Sequence, residues 1–325
     1  MDFSKIFIKD ASPTKIGGQA VIDGIMMKGE KQMSIAVRMP DNRIHIKVET
    51  LKDRGKIVTI PIIRGIYIFG SSLATGMRSL LYSAEVAEAY EEEHAEEALS
   101  DSTGTPAEVE ASQNDHTIED SAPEKKLSTG LNIALVMTVI FSIAFSVGIF
   151  ILVPTALTGL LGGIIHNDIG LNLIEGFARI LLFVIYVLVI SQMNDIKTVF
   201  RYHGAEHECI HCFESGQELT PENMKKFYTL HPRCGTSFLM FVMIISLLLF
   251  SLLGWPSLLM RLGSRLILIP VIAGISYEVL RLAGCSDNWF IKILSVPGLA
   301  LQSITTKKPN DDEREVAIAA LKAVL

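Results

Sequence analysis

Two histidines and a glutamate in the middle of the chain have the types and spacing of a metal-dependent hydrolytic site. His203 and His207 are four residues apart, so on a helix they share one face and can bind the same ion. Glu206 precedes the second histidine, which gives the order H-x-x-E-H. In metalloproteases with this order, the two histidines bind zinc and the glutamate is the general base. The spacing predicts the same roles here.

Three further residues are candidates to complete the shell around the metal ion. His231 and Cys234 come just before one apolar segment, and the H-x-x-E-H motif comes just after another, so we expect both groups at the same membrane face. Glu278 lies inside an apolar segment, where an ionisable side chain is costly and is therefore a functional candidate. Zinc is the expected ion because it binds histidine nitrogen and cysteine sulfur.

A rival set of ligands predicts a structural rather than a catalytic zinc site. Cys209 and Cys212 are separated by two residues, and so are His231 and Cys234 further along the chain. This spacing is typical of closed four-ligand zinc sites, in which no position is open to water. In that alternative His203 and His207 are not ligands.

The elements that must position these residues are predominantly apolar helices. Hydrophobic residues make up 49% of the 325 residues and the mean hydropathy is +0.39, which argues against a simple soluble enzyme. Four stretches are long enough to cross a bilayer. They are Leu131–Val153, Leu171–Met193, Ser237–Gly254 and Leu266–Gly284. Two carry charge pairs at helical spacing, Glu175 with Arg179 and Glu278 with Arg281, for which pairing within the helix is the simplest interpretation.

The distribution of positive charge predicts the topology. Residues 1–130 contain 15 Lys and Arg, the 154–170 loop contains none, and the 194–236 loop contains 5. This alternation favours a cell-membrane protein with both termini and the 194–236 loop in the cytoplasm. Residues 85–124 hold 14 acidic residues and no basic ones, so the net charge of −6 conceals a basic remainder. No basic stripe interleaved with aromatic residues is present, and we expect no nucleic-acid partner.

The segments outside the membrane form three predicted parts. Residues 1–84 are expected to be a cytoplasmic unit that contains β-strands, including Met33–Arg38 and Arg43–Leu51, with Ile60–Tyr82 interfacial, re-entrant or spanning. Residues 85–129 are expected to be a disordered acidic linker whose first part can be helical. Residues 130–325 are the four-span domain, which ends in a cytoplasmic helix over Asp311–Leu325.

Four motifs resemble the YqhQ-like family of bacterial multi-pass membrane proteins, which are predicted metal-dependent enzymes. The motifs are residues 17–29 (GGQAVIDGIMMKG), 203–207 (HGAEH), 231–238 (HPRCGTSF) and 297–306 (PGLALQSITT). Together they span nearly the whole chain except the acidic linker. The resemblance implies that His203, Glu206, His207, His231, Arg233 and Cys234 belong to the family's motifs. Asp23 stands where the family pattern has Glu.

The leading hypothesis is therefore an α-helical integral membrane protein with about four transmembrane helices that acts as a zinc-dependent, peptidase-like hydrolase at the cytoplasmic membrane surface. Glu206 is its predicted base, and the predicted metal ligands are His203, His207, His231, Cys234 and Glu278. Two alternatives stay open. One is a membrane scaffold or assembly factor with a structural zinc site, and the other is an oligomeric transporter or channel. The expected partners are the lipid bilayer and a membrane or cytoplasmic protein.

Overall fold

The computed structural model describes residues 14–51, 58–101, 148–161, 163–254, 257–285 and 288–325, together with a few positions between 137 and 146 and residue 6. The first element is a four-stranded antiparallel sheet in the order β1-β2-β3-β4. Its strands are β1 Gly17–Val21, β2 Gly24–Lys28, β3 Gln32–Arg38 and β4 Ile44–Thr50. Both strands predicted over residues 33–51 are present, and the turn between them includes Asn42 at a positive φ of 70°.

Both faces of the sheet are covered, which explains the unbroken apolar run of β2. Ile25 and Met27 point into a core with two helices, α4 (Asn194–Glu214) and α9 (Asp311–Lys322). Met26 points the other way, into a cluster that contains Tyr82 of helix α1 (Ile63–Asp101). Because side chains alternate along a strand, a strand buried on both faces must be apolar at successive positions. The sheet is thus packed between α1 on one side and α4 with α9 on the other.

Helix α1 spans Ile63–Asp101 and so includes most of the Ile60–Tyr82 segment and the start of the acidic segment. The sequence from residue 84 is rich in Ala and Glu, which are strong helix formers, and no Gly or Pro interrupts it. The helix therefore continues through residue 84 without a break. The rest of the predicted linker, residues 102–129, lies outside the described residues. Near its start α1 packs closely on helix α7 (Leu258–Cys285), where a Cβ on Gly65 would lie 2.8 Å from the carbonyl oxygen of Gly274.

Three stretches of the described chain are long and apolar enough to cross a membrane, namely Ala144–Leu161, Asp168–Ile190 and Leu259–Ala283. The first includes α2 (Val153–Leu161), the second is α3 (Asp168–Ile190), and the third lies in α7 (Leu258–Cys285). Helix α2 occupies residues that we expected in a loop after residue 153, because the apolar sequence continues to Leu161. Helix α6 (Gly235–Ser251) is apolar but has only 17 residues. Most of the predicted start of the first span lies outside the described residues.

The remaining helices bring the two ends of the chain to the same place. A short helix, α5 (Pro221–Met224), follows α4, and α8 (Trp289–Thr305) packs on α6. A Cβ on Gly298 of α8 would lie 2.7 Å from the Ser237 side chain, so the two helices touch at backbone distance. Helix α9, which confirms the helix predicted over Asp311–Leu325, then lies on α4 and the sheet. Its N-terminus has a capping box formed by Asn310 and Glu313.

Candidate metal site

Helix α4 carries three histidines on one face. His203, His207 and His211 follow one another at intervals of four residues, which is close to one helical turn. The ring centroids of His203 and His207 are 4.5 Å apart. His231, from the turn before α6, packs against the same face, with its ring 5.6 Å from that of His207 and 4.6 Å from that of His211. Four imidazoles are therefore gathered in a largely buried cluster.

Among the described residues, one group of side chains can hold a metal ion, and it consists of His203, His207 and Cys234. One ligand atom from each of the three lies within 4.8 Å of the other two. His203 Nε2 is 3.1 Å from Cys234 Sγ. Cys234 is the N-cap residue of α6, and the N-terminus of a helix favours a negatively charged ligand atom. The structure thus brings together two predicted histidine ligands and one of the candidates for the third.

Main-chain carbonyl groups fix the orientation of both histidine rings. Nδ1 of His203 is 2.9 Å from the carbonyl oxygen of Thr305, and Nδ1 of His207 is 2.6 Å from that of Thr229. A carbonyl only accepts hydrogen bonds, so each Nδ1 donates and each Nε2 is left as the lone-pair nitrogen. Metal-binding histidines are typically held in this way through the ring nitrogen that does not bind the ion. Nε2 of His207 is buried and has no hydrogen-bond partner among the described residues.

Glu206 lies beside the trio in an apolar environment under the sheet. Its carboxylate accepts a hydrogen bond from the backbone N–H of Gly18 in β1, while Oε2 is buried with no partner in the described part of the chain. Burial raises the pKa of Glu206 to about 7, and the charge of His203 and the Gly18 N–H offset part of that increase. A Cβ on Gly18 would lie 2.9 Å from the carboxyl carbon, so only glycine lets β1 approach this closely.

His231 is positioned by a glutamine of α8. Gln302 accepts a hydrogen bond from His231 N at 2.9 Å and donates one to His231 O at 2.8 Å. It also donates to Ser237 Oγ at 2.6 Å. Burial and the neighbouring histidines keep the pKa of His231 well below its usual range, and burial lowers the pKa of His211 to about 4. Both rings are therefore neutral around pH 7. Neither belongs to the trio, so His231, a predicted ligand, lies beside the candidate metal site and not in it.

The other candidate ligands lie in different surroundings. Glu278 accepts hydrogen bonds from Arg64 and from the backbone N–H of Ile62, and it is not a member of the trio. Cys209 and Cys212 are buried in the core that α4 shares with α9 and the sheet. The structure does not bring these two cysteines together with His231 and Cys234 in a metal-binding group. The rival four-ligand set is therefore not assembled.

The sequence reasoning missed His211 and Gln302. His211 continues the four-residue spacing of the first two histidines, so a longer search along the same helix face finds it. Gln302 lies inside the 297–306 motif, but its contact with residue 231 depends on how α8 packs on α6. No spacing in the sequence indicates that contact.

These features define a class: a mostly helical chain with a small antiparallel sheet and a His/His/Cys cluster, in which three helices of the described residues are long and apolar enough to cross a membrane. The chain belongs to the family described as "Protein of unknown function (DUF1385)", whose match covers residues 60–325. It is also 35% identical to "Uncharacterized protein YqhQ" of Bacillus subtilis (strain 168) over 323 residues, which cover 98% of this chain and 94% of that protein. The resemblance to YqhQ-like proteins is thereby confirmed. No solved structure matches the chain.

Proposed function

We propose that this protein is a zinc-dependent hydrolase at a membrane surface, and that His203, His207 and Cys234 hold the ion. The observation that carries the proposal is the proximity of the three ligand atoms, combined with the buried His207 Nε2 that has no hydrogen-bond partner in the described chain. A buried nitrogen of this kind is energetically costly unless a ligand satisfies it. A metal ion removes that cost.

The donor set fits zinc. Imidazole nitrogen and thiolate sulfur bind Zn²⁺ at about 2.0–2.3 Å, so two ligands of one tetrahedral ion lie about 3.5 Å apart. The trio has one ligand pair at 3.1 Å and all pairs within 4.8 Å. Small side-chain adjustments would therefore suffice for all three ligand atoms to bind one zinc ion. Three protein ligands with a fourth position left over are typical of catalytic zinc, whereas closed structural sites use four.

Glu206 is the proposed general base. When bound, zinc at such a site lowers the pKa of a coordinated water toward about 7 and polarises a substrate carbonyl. Glu206 is held by the Gly18 N–H through one part of its carboxylate, and its other oxygen, Oε2, is left without a partner. That oxygen would accept the proton from the attacking water and later give it to the leaving group.

The proposed location is the cytoplasmic face of the cell membrane, with both termini in the cytoplasm. Helix α4 directly follows the apolar helix α3, and Cys234 caps the apolar helix α6, so the trio lies at the ends of apolar segments. The positive charge of the terminal regions and of the 194–236 loop supports the cytoplasmic side. A substrate close to the membrane surface, with peptide as the leading class, fits this position.

Elemental mass spectrometry on the full chain purified in detergent tests the metal assignment. We expect about one zinc per chain in the native protein and in a Cys209→Ala/Cys212→Ala control, since one ion fills one shell. Zinc should be lost from Cys234→Ala and from His203→Ala/His207→Ala. Zinc retained by the histidine variant, or absent from every folded preparation, contradicts the site.

A structural metal in a non-enzymatic scaffold is the second candidate, and the deep burial of His207 and Glu206 favours it. The variant Glu206→Gln separates the two functions because it preserves the shape of the side chain and removes its basicity. If the protein hydrolyses a substrate, this variant should keep its zinc and lose about 100-fold or more in rate. A variant that keeps both zinc and full biological function identifies the metal as structural.

A further inference from the structure

The first half of helix α1 carries an apolar face that the described part of the chain leaves exposed. Its members are Ile63, Ile66, Leu73 and Met77, whose exposed fractions are 48%, 36%, 59% and 59%. They lie three, seven and four residues apart, so they share one side of the helix. From residue 63 to residue 77 the sequence contains a single charged residue, Arg64. A continuous exposed apolar stripe of this length indicates an interaction surface.

The opposite face of α1 shows where this stripe lies along the apolar helices. Gly65 packs at backbone distance on Gly274 of α7, and Gly274 lies nine residues before the end of the apolar stretch Leu259–Ala283. At 1.5 Å per residue, nine helical residues span about 14 Å, which is close to half of a hydrocarbon core of roughly 30 Å. The start of α1 therefore lies beside the middle of a stretch that is long enough to cross a membrane.

The chain reaches this point from the sheet and returns to the sheet. Leu51, directly after β4, packs on the same apolar cluster as Tyr82 of α1. Between these two residues, α1 passes the first turn of α6, where the ring of Phe69 is 5.2 Å from that of Phe238. Both ends of the segment between Leu51 and Tyr82 thus lie on the same side of the apolar helices. A segment that goes to the middle of α7 and comes back follows a re-entrant path.

The backbone at the deepest point of this path is suited to a medium without water. Pro61 has no N–H group, and Ile62 N donates to Glu278 Oε1 at 3.2 Å. The N–H groups of Ile63 and Arg64 donate to main-chain carbonyl oxygens at 2.8 and 2.9 Å. Glu278 also accepts a hydrogen bond from Arg64 Nε at 2.7 Å, so the charged residue of the segment is paired. Hydrocarbon tolerates a chain reversal only when its polar groups are satisfied within the protein, as they are here.

We propose that the Ile63–Met77 part of α1 is a re-entrant membrane segment and that its exposed stripe contacts lipid acyl chains. The inference rests on the membrane location proposed above. Lipid is the partner that fits, because the stripe is continuous in depth with the apolar stretch of α7, where Val271 is also 39% exposed. The next charged residue after Arg64 is the exposed Arg78. It lies about 20 Å further along the helix, where a long side chain can reach the lipid phosphates.

Quenching of tryptophan fluorescence by brominated lipid tests this proposal on the full chain in nanodiscs. The background is Trp255→Phe/Trp289→Phe, into which Ile63→Trp is introduced. Leu181→Trp is the matched membrane control, because Leu181 is 61% exposed and also lies nine residues before the end of its apolar helix, α3. We expect phosphatidylcholine with brominated acyl chains to reduce the fluorescence of both variants equally. Glu88→Trp, at an exposed position later in α1, should lose its fluorescence to aqueous iodide instead.

The outcomes separate this inference from the membrane location on which it rests. Lipid quenching of Leu181→Trp but not of Ile63→Trp overturns the re-entrant segment alone, and absence of quenching in Leu181→Trp overturns the membrane location itself. If Ile63→Trp does not fold, Leu73→Trp on the same stripe gives the same reading. Ile60→Trp tests the return path, since Ile60 is 49% exposed at the deepest point. Lipid should quench it, and quenching by iodide instead would show that this end crosses to water on the far side.

Discussion

Two groups of polar side chains in the interior differ in whether their buried atoms have hydrogen-bond partners. One is the Glu175 cluster between α3 and α7, which consists of Glu175, Arg179, Arg265 and Thr155, and the other is the His203–His207–Cys234 trio between α4 and α6. In the first, both carboxylate oxygens of Glu175 are hydrogen-bonded to arginines or Thr155. In the second, His207 Nε2 and the neighbouring Glu206 Oε2 are buried with no partner among the described residues.

The difference separates a role in stability from a role in ligand binding. A buried carboxylate whose oxygens are bonded by the protein contributes to holding helices together, and removing it exposes its partners to an uncompensated cost. A buried polar atom without a partner is rare in native proteins, and in the trio it supports the proposal that a metal ion binds there. The comparison predicts that the Glu175 cluster is sensitive to substitution and the trio is sensitive to metal.

The largest effect is expected from Glu175→Ala, which leaves buried guanidinium groups without their carboxylate. The free energy of unfolding should fall by about 3–5 kcal/mol, as for other broken buried pairs. Urea unfolding in detergent, followed by circular dichroism, measures the change. Glu315→Ala is the control, since Glu315 pairs with Arg38 but is 53% exposed, and exposed pairs contribute about 0–1 kcal/mol. Equal losses in the two variants would remove the contrast between buried and exposed carboxylates.

Metal removal should produce the second largest effect, and only through the trio. At a free zinc concentration of 100 times Kd, binding stabilises the folded state by about 2.7 kcal/mol, which a chelator should abolish. The unfolding midpoint of the native protein should therefore fall with chelator, while that of His203→Ala/His207→Ala should not change. A chelator effect of the same size in both proteins would show that the stabilising ion binds elsewhere.

Gly204→Ala should have an intermediate effect because α4 passes very close to the chain after α8. A Cβ at residue 204 would lie 2.0 Å from the carbonyl oxygen of Lys307, so backbone must move. Overpacking of this kind costs about 1–3 kcal/mol. Gly235→Ala is the matched helical control, with nothing within 4 Å of the new Cβ. A shift in zinc affinity for Gly204→Ala, measured by chelator competition, would link this close contact to the neighbouring ligand His203.

The smallest effect is expected for Lys225→Ala. Lys225 Nζ is 2.7 Å from Asp311 Oδ2, but the two side chains are 42% and 52% exposed. Solvent screens such a pair, and its loss should change the free energy of unfolding by less than about 1 kcal/mol. Urea unfolding under the same conditions as for Glu175→Ala provides the measurement. A loss above 3 kcal/mol would show that exposure does not separate the two kinds of ion pair.

Much of the secondary structure could be predicted because it depends on local pattern. Alternation predicted strands over residues 33–51, and apolar length predicted the helices around Leu171–Met193 and Leu266–Gly284. The pairing of Glu175 with Arg179 is confirmed because the two residues share a helix face. The first apolar helix ends later than we expected because the end of an apolar run contains no sharp signal, as α2 illustrates.

Contacts between distant segments were less predictable. Glu278 and Arg281 also have helical spacing, yet Glu278 binds Arg64, which lies on α1, because α1 packs against α7 there. The sequence also left open which of two candidate metal-ligand sets forms, the one built on His203 and His207 or the one built on Cys209 and Cys212. The packing of α4 against the sheet and α9 decided it, because that packing buries Cys209 and Cys212 in an apolar core.

The sequence by itself determined the family, the apolar helices and the pair His203 and His207, because each depends on residue types at short, regular spacing. Tertiary structure alone decided that Cys234 joins that pair, that Glu206 is buried against β1, where burial raises its pKa, and that Gln302 holds His231. The physical reason is the same in each case. These contacts join segments far apart in the chain, and they exist only where close packing brings side chains and backbone groups within hydrogen-bond reach.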